Sequence, residues 1–378
     1  MVLPPLSLYI HIPWCIEKCP YCDFNSHSIK SNIPESEYIS CLLDDLSQDA
    51  HLAQNREIET IFFGGGTPSV FSAEGIKTII DGVKHRLKLS ENCEITLEAN
   101  PGTFEIDKFT GFKSAGVNRF SIGVQSLQNE KLTSLGRVHQ ADEAIKAAKV
   151  ASALKLNSFN LDLMHGLPDQ SIEDALSDLS QAIALSPPHL SWYQLTIEEN
   201  TLFASKPPTL PQDTTLWSIQ EQGQKLLSEH GYEQYEISGY AKKGHQCQHN
   251  LNYWRFGDYL AIGCGAHGKI TLADEDKIIR YEKIKHPKGY LDLTQNYTYK
   301  QHQVSQDDLP FEFFMNRFRL MEACPINEFE QYTGLSISTI EPAITRAKQL
   351  GFIEESVNNW QVTAKGHLYL NDLLELFV

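Results

Sequence analysis

Six short apolar runs recur along the first part of the chain, each followed by a longer amphipathic stretch. The runs are Leu6–Ile12, Glu59–Phe63, Glu94–Ala99, Arg119–Val124, Ser158–Met164 and His189–Thr196. Between them, Glu35–Ala53, Ala73–Leu87, Ala141–Leu154 and Ile172–Leu185 repeat their apolar residues at helical spacing. Strand and helix in strict alternation predict a parallel sheet with its helices outside. Six units are enough for an open sheet or a partial (β/α)6 barrel. In both, ligands gather beyond the C-terminal ends of the strands.

The chemically distinctive residues fall at those ends. Cys15 follows the first run, and Gly64-Gly65-Gly66-Thr67-Pro68 follows the second. Glu98 closes the third, Gln125 the fourth and Asp162 the fifth. One glycine run alone would be a common turn. Five polar or flexible features at one rim point to a binding site.

The strongest of these is Cys15-Ile16-Glu17-Lys18-Cys19-Pro20-Tyr21-Cys22, a C-x3-C-x2-C spacing. Three thiolates this close suit one face of a [4Fe–4S] cluster, which ordinarily takes four cysteines. The next cysteine is Cys41, too distant to complete the set locally. One iron is left for a small molecule. A zinc site would need a fourth ligand at matched spacing, with His11 and His27 nearby. A disulfide would need an oxidising compartment, which nothing in the sequence suggests.

S-adenosylmethionine meets the needs of an open iron at such a rim. Its amino and carboxylate groups chelate, and its sulfonium accepts an electron, giving methionine and a 5′-deoxyadenosyl radical. Glycines in the 64–68 turn let backbone carbonyls come close. Arg137 can pair with a carboxylate, and Glu98, Gln125 and Asp162 can accept ribose hydroxyls. Arg137 could instead be a surface partner, and Asp162 a strand-end cap. His11 reads as a structural hydrogen bonder near the cysteine loop.

The chain of 378 residues carries a formal net charge of -16, with 41% hydrophobic residues. The hydrophobic fraction supplies a sizeable core, and the charge argues against nucleic acid or anionic lipid as partners. No apolar run reaches the roughly 18–20 residues of a membrane span. The N-terminus lacks the basic region of a signal peptide. With its remaining cysteines scattered, the chain is expected to be cytoplasmic.

Later segments differ in character. Residues 200–213 read as a linker, Asp213–His230 as a helix and Tyr232–Tyr240 as a strand. Residues 244–268 are dense in His, Cys, aromatic residues and Gly. Helices are expected over Asp308–Glu322, Pro325–Thr333 and Ser336–Leu350. A two-stranded wing over Phe352–Glu355 and Asn359–Val362 and a closing helix over Leu368–Phe377 would complete a winged-helix pattern. Ser336–Leu350 carries only Arg346 and Lys348 as cations, which favours packing or protein contact over DNA binding. The expected domains are 1–240, a core barrel; 241–305, a linking region; and 306–378, the winged-helix-like part.

Five stretches resemble the radical SAM enzymes of the coproporphyrinogen III dehydrogenase class: Tyr9–Cys15, Gly64–Pro68, Glu98–Pro101, Ile122–Ser126 and Leu161–Pro168. The resemblance covers nearly the whole chain. It implies that Cys15, Cys19 and Cys22 ligate the cluster, and that Tyr9 and Tyr21 are aromatics of the S-adenosylmethionine pocket. It further implies that Gly65, Gly66 and Thr67 receive the methionyl amine. Glu98, Gln125, Arg137 and Asp162 would be polar contacts, with Thr196 a weaker match. The dehydrogenase pattern continues with a further cysteine two positions after Cys22, where this chain has Phe24. The subfamily lacking that cysteine resembles the HemW heme chaperones. These also carry H-N-x-x-Y-W, here His249-Asn250-Leu251-Asn252-Tyr253-Trp254.

This resemblance implies a protein that binds heme and passes it to acceptors such as respiratory enzymes, and it leaves a homodimer and transient contact with membrane-bound acceptors open. The dehydrogenase is the alternative. A tRNA- or protein-modifying radical SAM enzyme is a third. Heme iron takes an imidazole or thiolate and its macrocycle takes apolar walls, so His249 with Tyr253 and Trp254 is the expected heme site. His245, Cys247 and His267 are rival ligands, and the motif could instead fix a turn beside the S-adenosylmethionine site. Cys324-Pro325 is a short match to a heme-regulatory motif.

Overall fold

The computed structural model describes residues 1–30, 32–292 and 296–378. Its centre is a sheet of twelve strands: β1 (Leu6–Ile12), β2 (Ile58–Gly65), β3 (Leu89–Ala99), β4 (Arg119–Gln125), β5 (Ser158–His165), β6 (His189–Gln194), β7 (Glu233–Gln234), β8 (Gly239–Ala241), β9 (Asp258–Ile262), β10 (His267–Leu272), β11 (Lys277–Lys283) and β12 (Thr298–Gln303). Their spatial order is β12-β11-β10-β9-β1-β2-β3-β4-β5-β6-β8-β7.

Strands β1 to β6 run parallel, and β9 joins the far side of β1, also parallel. Antiparallel strands extend both edges. Among the described residues no ladder joins the two edges, so the barrel is partial. The central strands are almost wholly buried yet alternate in character: Leu8, Ile10, Ile122 and Leu161 fall on one face, and Ser7, His11, Ser121, Asn160 and Asp162 on the other.

The helices form where the apolar spacing and caps coincide. Ser72 accepts from the Gly75 N–H to start Ala73–Arg86, whose Ile76, Ile79, Ile80 and Val83 form one buried stripe. Ser171 and Asp174 make a capping box at the head of Ile172–Ala184. The expected helix over Glu35–Ala53 is an α-helix to Asp49 and a 3-10 turn beyond.

Two segments differ from expectation. Tyr232–Tyr240 is a hairpin of β7 and β8, because the Glu236 carboxylate accepts from the N–H and hydroxyl of Ser238 and turns the chain. Segment 241–305, read as a linking region, supplies β9 to β12 of the main sheet. It is held by buried ion pairs, two of them to residues far back in the chain. Asp258 meets Lys269 at 3.0 Å and Arg56 at 2.7 Å, and Lys283 meets Asp45 at 2.6 Å.

The C-terminal part has its own aromatic core, including Phe313, Phe314, Phe318, Phe329, Trp360 and Phe377. Phe256 and Ile278 of the preceding segment belong to the same cluster. Helices Leu309–Arg317, Ile326–Thr333 and Glu341–Gln349 surround a sheet of Cys324–Pro325, Asn359–Val362 and Ile353–Glu355. The wing therefore has three strands. The Cys324-Pro325 pair is the added one, and its thiol is buried. The closing segment is broken into Ala364–Leu368, Leu370–Leu374 and a 3-10 turn. Among the described residues no helix is long and apolar enough to cross a membrane.

Candidate functional site

The C-terminal ends of β1 to β6 are brought level by register. Ile12 lies beside Gly65, Ala99 beside Ile122, and Asp162 between Gly123 and Ser191. Above them the cysteine loop is closed at its base by a parallel pairing of Trp14–Cys15 with His27–Ser28. Phe203 donates its N–H to Pro20 O, and Asn25 Nδ2 donates to Cys264 O and Lys285 O. Segments far apart in sequence thus hold the loop.

Between loop and strands lies a cavity of about 460 Å³. Cys15, Cys19, Cys22, Tyr21, Gly65, Gly66, Thr67, Glu98, Gln125, Arg137, Asp162 and Thr196 all line it. Among the described residues no three His, Cys, Asp or Glu side chains converge as ligands of a single ion. The three cysteines line one and the same cavity. Burial pushes the Cys15 thiol above its ordinary value, while Ser26 and Thr67 beside it act the other way.

Arg137 reaches over the cavity from the turn after Asn129–Ser134. Its Nη1 lies 3.4 Å from Cys19 Sγ, and its Nη2 donates to Asn100 Oδ1 at 2.7 Å and Gly123 O at 2.9 Å. Its Nε is buried with no hydrogen-bond partner, as is Gln125 Oε1. An unmet donor and an unmet acceptor in one cavity fit a zwitterionic ligand. Gln125 sits in left-handed backbone, φ 62°, at a register irregularity of β4. Such a bulge re-aims a side chain.

Glu98 and Asp162 are half-buried carboxylates on the cavity wall. Burial, and then the nearby Asp162, push the Glu98 pKa up to about 8. Burial raises that of Asp162, against hydrogen bonds from Ser121, Ser191 and Asn160. Glu98 accepts the Gly65 N–H at 3.2 Å.

The glycines do more than admit a ligand. A Cβ on Gly66 would lie 2.6 Å from Trp14 O, and one on Gly65, at φ +113°, 2.5 Å from the His11 ring. Their bareness lets the turn close on the first strand. His11 is buried, with Nδ1 at 3.0 Å from Tyr9 OH and Nε2 at 2.8 Å from Asn25 O, tying strand to loop.

Tyr9 lies elsewhere. It lines a second cavity of about 490 Å³ with Phe24, Tyr253, Trp254, Phe256 and Tyr259. Phe24, Gly65 and Glu98 line both cavities.

His249 lies behind this second cavity and not on its wall. It is 1% exposed. Its Nδ1 is 2.6 Å from Thr60 Oγ1 and its Nε2 is 2.8 Å from Tyr253 OH, so both nitrogens are hydrogen-bonded. Burial lowers its pKa to about 3. Helix Gln248–Trp254 starts on Glu94, whose carboxylate accepts from the N–H groups of Gln248 and His249. Cys247 is buried against the same carboxylate.

Sequence reasoning passed over Asn100, which orients Arg137 and donates to Thr67 Oγ1 at 3.1 Å. Its place just after β3, before Pro101, was the available signal. Tyr193, next to last in β6, also lines the first cavity.

The chain is similar to known proteins along its whole length. The Radical SAM superfamily profile matches residues 9–179, and that of the HemN C-terminal domain matches 304–369. The chain is 60% identical over 376 residues to a protein of Escherichia coli (strain K12) named heme chaperone HemW, covering 100% of this chain and 99% of that one. It is 32% identical over 384 residues to the heme chaperone HemW of Bacillus subtilis (strain 168), covering 98% and 99%. Coproporphyrinogen III oxidase (HemN) from Escherichia coli, a radical SAM enzyme, has a similar fold. The TM-score is 0.84 at 22% identity, covering 99% of this chain and 90% of that one.

Proposed function

The chain belongs to the HemW family of radical SAM proteins, and from that premise we propose that it is a heme chaperone, binding heme and passing it to acceptor proteins in the cytoplasm. The observation that carries this reading is the full-length likeness to proteins named heme chaperones. Two features of this chain support it. Phe24 stands where the dehydrogenase pattern has its further cysteine, and an aromatic cavity backs onto the cofactor cavity.

The first cavity is assigned to a [4Fe–4S] cluster on Cys15, Cys19 and Cys22 with S-adenosylmethionine beside it. When bound, that pair supplies one-electron chemistry. The chain's own residues do the positioning. Arg137 meets the methionyl carboxylate and Gln125 Oε1 accepts from the ligand. Thr67 and the glycine turn face the amine, and Glu98 and Asp162 take the ribose hydroxyls. Tyr21 and Thr196 complete the wall. Respiratory enzymes are the acceptor class the family suggests, and contact with membrane-bound acceptors or a second copy would occur at handover.

The test is an anaerobic reconstitution followed by two assays. Hemin titration should give a saturable Soret band. Incubation with coproporphyrinogen III, S-adenosylmethionine and a reductant should give no protoporphyrinogen IX. Turnover in the second assay without hemin binding in the first would make the chain a dehydrogenase.

A further inference from the structure

The aromatic cavity has walls, size and charges of its own, and one free imidazole. We propose that it is the heme pocket and that His267 is the protein ligand to the heme iron; this rests on the heme-chaperone reading above.

A porphyrin needs a slot with apolar faces, an axial donor and cations for its carboxylates. Tyr9, Phe24, Tyr253, Trp254, Phe256 and Tyr259 supply the faces. Phe24 is 59% exposed on its loop, so its ring stands at the mouth rather than in the core. The volume of about 490 Å³ falls within the range of small-molecule pockets.

Three imidazoles lie on or beside this cavity. His11 is held at both nitrogens by Tyr9 and the Asn25 carbonyl. His249 is held at both by Thr60 and Tyr253, and is buried. His267 opens β10, is exposed, lines the cavity, and has no hydrogen bond to either ring nitrogen among the described residues. Iron can therefore be taken by His267 without breaking an existing contact. Met315 is the other soft donor on the wall.

The charges near His267 are mostly engaged with one another, and one buried donor is left over. Lys285 and Arg280 act on it as cations, and Glu282, opposite on β11, is already paired with Lys285 at 3.1 Å. Arg280 spends its two terminal nitrogens on Tyr259 and Glu312, but its Nε is buried with no partner. Lys269 is committed to Asp258.

This assignment gives H-N-x-x-Y-W a different role. His249 orients Tyr253 from behind, and Trp254 forms wall. The motif shapes the pocket, and the ligand comes from the strand that follows β9.

The test is hemin titration of the full-length chain, read at the Soret band, for wild type, His267→Ala, His249→Ala and Met315→Leu. Losing a partner that merely supports a metal ligand already costs about 10–100-fold in affinity, so His267→Ala should weaken hemin binding at least about tenfold. Added imidazole should restore the wild-type Soret position in that variant. Met315→Leu should keep it, and His249→Ala, which removes the support behind Tyr253, should keep the Soret position while weakening binding less than His267→Ala. A wild-type titration in His267→Ala, or a Soret shift confined to His249→Ala or Met315→Leu, would overturn the assignment and leave the chaperone reading standing. Failure of the wild-type chain to bind hemin would overturn both.

Discussion

At the scale of single residues, the rim holds its ionisable groups largely away from water. Glu98 shows the cost. Its pKa of about 8 stands well above the ordinary 4.5. Between those values the folded chain keeps a proton that the unfolded chain has lost, so stability falls as pH rises through that window. Glu98→Gln carries no such proton. Thermal melts of the ligand-free protein should therefore decline less for Glu98→Gln than for wild type from about pH 4.5 to about 8. Parallel declines would refute the assignment of the shift to Glu98. Arg137 poses the complementary case. A charge-assisted bond of its kind contributes roughly 1.5–3 kcal/mol. Arg137→Ala should weaken S-adenosylmethionine binding by about ten- to a hundredfold, with iron and sulfide content unchanged. Calorimetry on the reconstituted protein checks the first half of that statement, and an iron and sulfide assay checks the second.

At the scale of elements, helix Gln248–Trp254 depends on a side chain from a different strand. Its first residues have no serine or threonine cap of their own. Glu94 of β3 accepts from two of its N–H groups and also lies 4.0 Å from buried Arg119. Glu94→Ala removes the cap and strands the guanidinium. It should cost about 1–3 kcal/mol of unfolding free energy. Glu94→Gln keeps an acceptor for the helix and should lose less. Chemical denaturation of the three proteins orders them, and an unchanged midpoint for Glu94→Ala would mean the helix is held by packing alone.

At the scale of the whole molecule, the parallel sheet is not finished by its six βα units. Strand β9 covers the outer edge of β1 over Leu6–Ile10. Asp45, 0% exposed at its side chain, is paired with Lys283 from β11. A chain ending at residue 240 would leave that edge bare and that carboxylate buried without its cation. Such a truncation should fail to give a cooperative melt, whereas a chain ending at 305 retains all twelve strands and should melt cooperatively at a lower temperature. Circular dichroism of the two truncations is the measurement, and a cooperative melt of the 240-residue chain would refute the dependence.

The sequence by itself determined the cofactor end of this protein. Six apolar runs with polar residues at their ends became a parallel sheet with those residues at one rim, because strand direction fixes which end each residue occupies. The local spacing of Cys15, Cys19 and Cys22 sufficed to put three thiols on one cavity wall. What lay beyond sequence was every feature made by residues far apart in the chain. The presence of His249 in a motif gave no sign that Thr60, from β2, would engage its second nitrogen. Nor did spacing indicate that β9 would pair with β1 and carry the aromatic wall to the back of Glu98. Periodicity reports which side of an element is apolar, and only tertiary packing decides which element that side meets and which nitrogen stays free.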